Sequence, residues 1–419
     1  MEMSSLPLKE RTLYIPQMSY EGAACMAAAF RSIGVNAQPT PEDDIHSYEL
    51  ARRYLSGDEC LPEAVTLGGF LKIAERPDYD PERTAFLLPT SNGPCRYGHY
   101  LPLAQKVFHQ IRGEAVMFTA PTSNDGYGGI GDEAQTLVRT GWRALVAADL
   151  LRKMLLITRP FEIHSGMSDQ AFNVSLEDIC SVIALRNVSS RKKLLALADA
   201  LKRSHDRFLS IPVDRYRFKL VIGIVGEIFC RHNHFSNNHL FRRIEKLGGI
   251  VWISDIAEWV LYTTDEEEMR LRRYGKQLSF QMLGCKLKQA VMRHDEHVLS
   301  SIFVESFAEY PEPKHVREIL ELARPYLPRE GANGEMVMSM GKTLWYQQKG
   351  VAGVIDISPF TCMNGIITEA VYPRVSRDFR GFPIRVFYFD AQKNDLNNDL
   401  EIFMELAAHY AAHKKASSG

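Results

Sequence analysis

One unit recurs along this chain and limits its fold more than any other feature: a short apolar run, a turn built on Gly or Pro, then a segment of helical spacing. Thr84-Ala85-Phe86-Leu87-Leu88 leads through Gly93-Pro94-Cys95-Arg96 into a helical pattern from Tyr97 to Ile111, and Ala115 to Thr119 is a further strand-like run. Phe218 to Val225 is too uniformly apolar for a strand with one wet face, so it reads as covered on both. Strands that alternate with helices in this way pair in parallel, because each helix carries the chain back to the starting end. The predicted class is α/β: two Rossmann-like parallel-sheet domains with a helical connecting region and a cleft between them. Residues 1–132 form the first domain, 133–215 the connector, and 216–419 the second domain with a charged helical insertion near 264–308. Within this frame Thr12 to Met18 is a first strand, Gly22 to Ile33 an Ala-rich helix and Gly249 to Ile253 a later strand.

Three turns carry a cysteine. Cys60 sits in Gly57-Asp58-Glu59-Cys60-Leu61-Pro62, ahead of the helical pattern Ala64 to Ile73, with Pro near the first helical position. Cys95 follows the Thr84 strand, and Cys362 lies in Ser358-Pro359-Phe360-Thr361-Cys362-Met363 after the strand Gly353 to Ile357. A helix start favours a thiolate through its free N–H groups and the positive end of its dipole, and the thiolate is the form that ligates metal. In open parallel sheets the loops after the strands all face one side, where ligands bind. Two of these cysteines come from the first domain and one from the second, so their meeting point is the cleft. Three thiolates leave one position open on a tetrahedral metal or on one iron of a 4Fe-4S cluster. Their separations in sequence match no compact zinc or ferredoxin spacing, and buried thiols that happen to sit in turns are the competing reading.

The other candidates are weaker. Cys25 lies among alanines in a helix and reads as a small core residue, and Cys180 and Cys285 also fall in helical patterns. Cys230 ends a strand and is either an additional ligand or a core thiol. His232 and His234 could ligate as His-x-His, but no third ligand is placed beside them, so a polar loop is preferred. Glu227 reads equally as an acid or base beside the cleft and as a helix cap. Gly126 to Gly131 resembles a phosphate-cradling loop without the required spacing and reads as a turn; Arg191-Lys192-Lys193 reads as the solvated face of a helix. No P-loop and no Gly-x-Ser-x-Gly occurs.

With 50 basic and 51 acidic side chains the net charge is −1, so no bulk field draws the chain to nucleic acid or membrane, and any binding site must be local. No basic-then-apolar leader opens the chain, and seven cysteines in 419 residues suit a reducing compartment, so a cytoplasmic location is expected. The last residues, Lys414 to Gly419, read as a frayed end.

The strings around Cys60, Asn92 to Gly98, Gly226-Glu227-Ile228-Phe229 with Phe235-Ser236-Asn237-Asn238, and Ser358 to Met363 resemble iron–sulfur proteins of the 2-hydroxyacyl-CoA dehydratase and benzoyl-CoA reductase superfamily. The likeness runs from about residue 12 to 405 and is greatest to the C-terminal part of large activase-related members. By resemblance, Cys60, Cys95 and Cys362 would hold a 4Fe-4S cluster. The implied chemistry is one-electron reduction or dehydration of an acyl-CoA-like substrate, or low-potential electron transfer. Such proteins take electrons from an ATP-hydrolysing activator, which would have to act in trans here; a dimer is a further expectation. A non-enzymatic iron–sulfur scaffold or electron relay is the alternative, and a metal-free metabolite-binding protein the third reading.

Overall fold

Short apolar runs between glycine turns become strands in two separate sheets of the computed structural model, which describes residues 6–90, 93, 95–112, 115–119, 128–217, 219–329, 334–391 and 396–416. The first part runs β1 (Thr12–Ile15), α1 (Tyr20–Arg31), β2 (Asn36–Pro39), α2 (Ile45–Arg52), α3 (Leu61–Ala74), β3 (Thr84–Leu87), α4 (Tyr97–Arg112) and β4 (Met117–Thr119). Three helices follow: α5 (Ala134–Thr158), α6 (Met167–Ile183) and α7 (Ser190–Leu209). The last part opens with β5 (Leu220–Gly226), α8 (Ile228–His232), α9 (Leu240–Lys246), β6 (Gly249–Ile253), α10 (Ile256–Arg273), α11 (Phe280–Ser300) and α12 (Val316–Ala323). It closes with α13 (Met336–Gln348), β7 (Gly353–Pro359), α14 (Met363–Asp378), β8 (Ile384–Phe389) and α15 (Leu396–Ala416).

Every strand pairing is parallel, in the orders β2-β1-β3-β4 and β6-β5-β7-β8. The α/β class with two Rossmann-like sheets is therefore as expected. Both sheets reverse strand order next to their first strand, between β1 and β3 and between β5 and β7, and such a switch point opens a crevice at the carboxyl ends of the strands. Strand β7 is buried along its whole length, as a strand covered on both faces must be. Beneath the first sheet, Phe86 packs its ring 4.3 Å from Phe70 and 5.1 Å from Phe108, centroid to centroid. Truncating a fully buried ring of this kind to Ala costs about 3–5 kcal/mol.

Helix α5 is more than a connector. It is buried for most of its length and packs against α1, α6 and β6. Its charged side chains are answered from both parts of the chain: Arg143 by Asp295, Arg152 by Glu21 and His232, and Lys153 by Glu312. Asp149 accepts from the backbone N–H groups of Ile256 and Ala257 and so caps α10. One core cluster consequently runs from β1 and α1 through α5 to residues of β6 and β7.

Several local expectations change. Strand β1 stops at Ile15, and α15 is helical to Ala416, beyond the expected frayed start. Lys193 is buried and donates to the Ile183 carbonyl at 3.2 Å, whereas Arg191 and Lys192 are exposed. Gly126 and Tyr127 of the glycine-rich stretch lie outside the described residues, and Gly128–Glu133 is two 3-10 turns joined by a kink at Gly131, whose φ is +70°. Among the described residues no helix is long and apolar enough to cross a membrane.

Candidate functional site

The second sheet's switch point is built around Gly226. Its φ is +114°, and a Cβ there would lie 2.1 Å from the Ile357 carbonyl, so only glycine lets β5 end this close to β7. The next residue, Glu227, is held by its N–H to the same carbonyl at 2.8 Å. Its carboxylate accepts from the N–H groups of Phe229 at 2.9 Å and Cys230 at 2.8 Å, capping α8. The cap reading is thus realised, and the carboxylate faces the cysteine turns at the same time. Burial pushes Glu227 above the ordinary carboxyl range against the pull of those N–H groups.

Each candidate cysteine occupies a helix start. Cys60 is the residue before α3, Cys95 lies two residues ahead of α4, and Cys362 immediately precedes α14. The Cys60 turn follows helix α2 instead of a strand, a difference from the uniform strand-to-helix setting expected. The Tyr97 N–H reaches the Cys95 sulfur at 3.5 Å, while Cys60 and Cys362 cap α3 and α14 without a side-chain hydrogen bond, their sulfurs near the first-turn N–H groups. The helix N-termini favour thiolate, but burial outweighs them at Cys60 and Cys362 and raises both thiols to about 12, whereas Cys95 is exposed. The Cys60 sulfur also lies 2.9 Å from the Tyr100 hydroxyl. Asn92 and Pro94 of the Cys95 turn lie outside the described residues.

The three turns meet. Arg96, the residue after Cys95, donates from one guanidinium nitrogen to the Asp58 carbonyl at 2.5 Å and to the Thr361 hydroxyl at 3.2 Å. One side chain of the first part therefore straps the Cys60 turn to the Cys362 turn of the last part. Glu227 provides a second sign of convergence, since its negative charge raises the thiol pKa at all three positions. Thr361 adds a third. It is β-branched yet has φ +65°, a left-handed conformation that costs such a residue about 1–2 kcal/mol and persists only where its surroundings enforce it.

Among the other sequence candidates, Cys230 is fully buried in α8, its thiol pushed well up by burial and by the nearby Glu227, Cys60 and Cys362. Cys25 is core, and its sulfur lies 3.9 Å from that of Cys180. His232 does not lie in a polar loop: it ends α8, is inaccessible and takes a hydrogen bond from Arg152 at 3.0 Å, whereas His234 is an exposed residue of the turn that follows, as a polar loop would have it. Sequence reasoning missed Glu335, which accepts from the Ile228 N–H at 3.1 Å and is raised to about 8 by burial and by Glu227. It also missed the role of Arg96, whose only signal was its place beside Cys95.

Among the described residues no group of three or more histidine, cysteine or carboxylate side chains is arranged to hold a single metal ion. A cluster makes a different demand, because each thiolate binds its own iron and the sulfurs do not share one atom. Three thiols at helix starts beside a carboxylate, Cys60, Cys95 and Cys362, are the donors that would hold such a group. A cavity of about 70 Å3 lined by Asp255, Glu258, Glu296 and Glu312 lies apart from the cysteines, and Lys153 and Lys342 answer its charge. No protein-family model matches the chain, and no curated protein matches it either.

Proposed function

We propose that this chain is an iron–sulfur protein of the 2-hydroxyacyl-CoA dehydratase type, with Cys60, Cys95 and Cys362 holding a 4Fe-4S cluster between the two sheets. The observation that carries the reading is the strap from Arg96 to Asp58 and Thr361, which brings three cysteine turns from distant parts of the chain to one place. When bound, such a cluster exchanges single electrons and, with three protein ligands, offers one iron to an oxygen of a substrate. The chain's own contribution is to set the thiols at helix starts and to keep a carboxyl, Glu227, beside them.

Glu227 is the group suited to take up or deliver the proton in reduction or dehydration of an acyl-CoA-like substrate, because burial raises its affinity for a proton at the carboxylate oxygens. Electrons would come from a separate ATP-dependent activator, since the sequence has no P-loop. The exposed position of Cys95 favours a second reading, an electron relay in which the surface at Cys95 and Arg96 meets a partner.

Turnover separates the two. Reconstituted wild-type protein supplied with activator and reductant should transform an acyl-CoA substrate, and Glu227→Gln should retain the brown chromophore while losing turnover. Chromophore reduction without turnover of any acyl-CoA would reject the enzymatic reading in favour of the relay. A colourless protein after anaerobic reconstitution would reject both.

A further inference from the structure

Between Met269 and His294 the chain carries seven basic side chains, from Arg270 to Arg293, and not one carboxylate, in a protein whose total charge is −1. This stretch is the end of α10, the connecting turn and most of α11, two helices whose inner faces meet at Leu271, Met282 and Cys285. The outer face of α11 is apolar as well. Phe280, Leu283 and Leu287 stand at i, i+3 and i+7 with exposures of 94%, 64% and 65%, and Leu278 in the turn is fully exposed. At 100° per residue this stripe lies opposite Met282, Cys285 and Gln289, which are buried, and Lys286 and Lys288 flank it on either side. Arg272 pairs with Glu268 at 2.7 Å and Lys288 with Glu267 at 3.6 Å, but among the described residues Arg270, Arg273, Lys276 and Lys286 form no salt bridge within the chain. Scattered exposed apolar residues are ordinary, but a stripe of them beside four such free cations is a binding surface.

We propose that the α10–α11 hairpin docks on an anionic lipid surface, with Leu278 and Phe280 entering the acyl region and the flanking basic side chains on the headgroup phosphates. The most exposed of these apolar residues, Leu278 and Phe280, lie at the turn end of the hairpin, which suits insertion into a deformable layer. A second copy of the chain would bring two basic hairpins together. The near-zero total charge does not oppose the proposal: Glu267 and Glu268 neutralise Lys288 and Arg272, four further cations of the hairpin remain, and carboxylates beyond about 8 Å are screened at physiological salt.

The test is sedimentation of the full chain with vesicles of phosphatidylcholine alone and with on the order of 30% phosphatidylserine. Partitioning should be at least about tenfold higher on the anionic vesicles and should fall with added salt. It should drop by about tenfold or more both in a Leu278→Ser/Phe280→Ser variant and in a Lys276→Glu/Lys286→Glu variant. Neither variant touches a buried residue, so thermal melts should match wild type and exclude misfolding as the cause. Equal partitioning on the two vesicle types, or none, overturns the proposal. So does retention on immobilised polyglutamate without vesicle binding, which would point to an acidic protein, and so does a dimer in light scattering that the Leu278→Ser/Phe280→Ser change abolishes.

Discussion

Replacing Arg152 by Met should be among the most destabilising single changes in this protein. Arg152 and Glu21 are each almost completely buried, and Arg152 reaches from α5 both to Glu21 on α1 and to the His232 ring on α8. Burial pushes the Glu21 carboxyl up, but the charge and hydrogen bond of Arg152 outweigh it and leave the group below its ordinary value of 4.5. Methionine fills similar space and removes the cation, so Glu21 would be a buried charge without a partner, at a cost of about 3–5 kcal/mol at neutral pH. The double variant Glu21→Gln/Arg152→Met removes both charges and should recover all but about 1–2 kcal/mol. The sign with pH follows from the direction of the shift. In wild type, Glu21 stabilises fully above 4.5 and loses that contribution as pH falls through its lowered folded value. In the single variant the carboxyl titrates upward and can be neutralised, so the gap between wild type and Arg152→Met should shrink from pH 7 to pH 4. Urea unfolding followed by far-ultraviolet circular dichroism at both pH values measures this. A loss below about 1 kcal/mol at pH 7, or a double variant as unstable as the single, would refute the pairing argument.

Three further changes probe other parts of the account. Glu296→Gln should stabilise the protein at pH 8 by up to about 3 kcal/mol and leave it unchanged near pH 4.5, since burial raises Glu296 to about 7 and the native state loses stability as pH climbs through that value; melts across the range test it. Thr361→Gly should relieve the left-handed strain and raise the stability of the metal-free protein by about 1 kcal/mol while lowering its iron occupancy, because Arg96 loses the hydroxyl it holds. Arg96→Ala should leave the melting temperature nearly unchanged, as the side chain is exposed, yet weaken iron binding about tenfold in a chelator competition, because the three turns are no longer tied.

The strands were legible because their apolar runs end at glycines: the run Gly249 to Ile253 was read with its observed bounds, and β5 and β7 within a few residues. Cysteines before helix starts were legible for the same local reason. Helix α2 was missed because Ile45–Arg52 is short and mixes its apolar residues with Glu49, His46 and Arg52. The buried Lys193 and His232 were misread for another reason. Whether Lys193 or His232 meets water depends on Ile183 and Arg152, and the Arg152 carboxylate partner is 131 positions away. Spacing along one helix does not encode such distant partners. The Arg96 strap, spanning 265 positions to Thr361, belongs to the same class of long-range fact.

Iron and acid-labile sulfide, quantified together after anaerobic reconstitution of wild type and of Cys60→Ala, Cys95→Ala, Cys362→Ala and Cys230→Ala, test the cysteine site most directly. The account predicts about four of each per chain in wild type and in Cys230→Ala, and a collapse in each of the other three. Wild-type content in Cys60→Ala, Cys95→Ala and Cys362→Ala alike, or no iron in the wild-type protein, would contradict it.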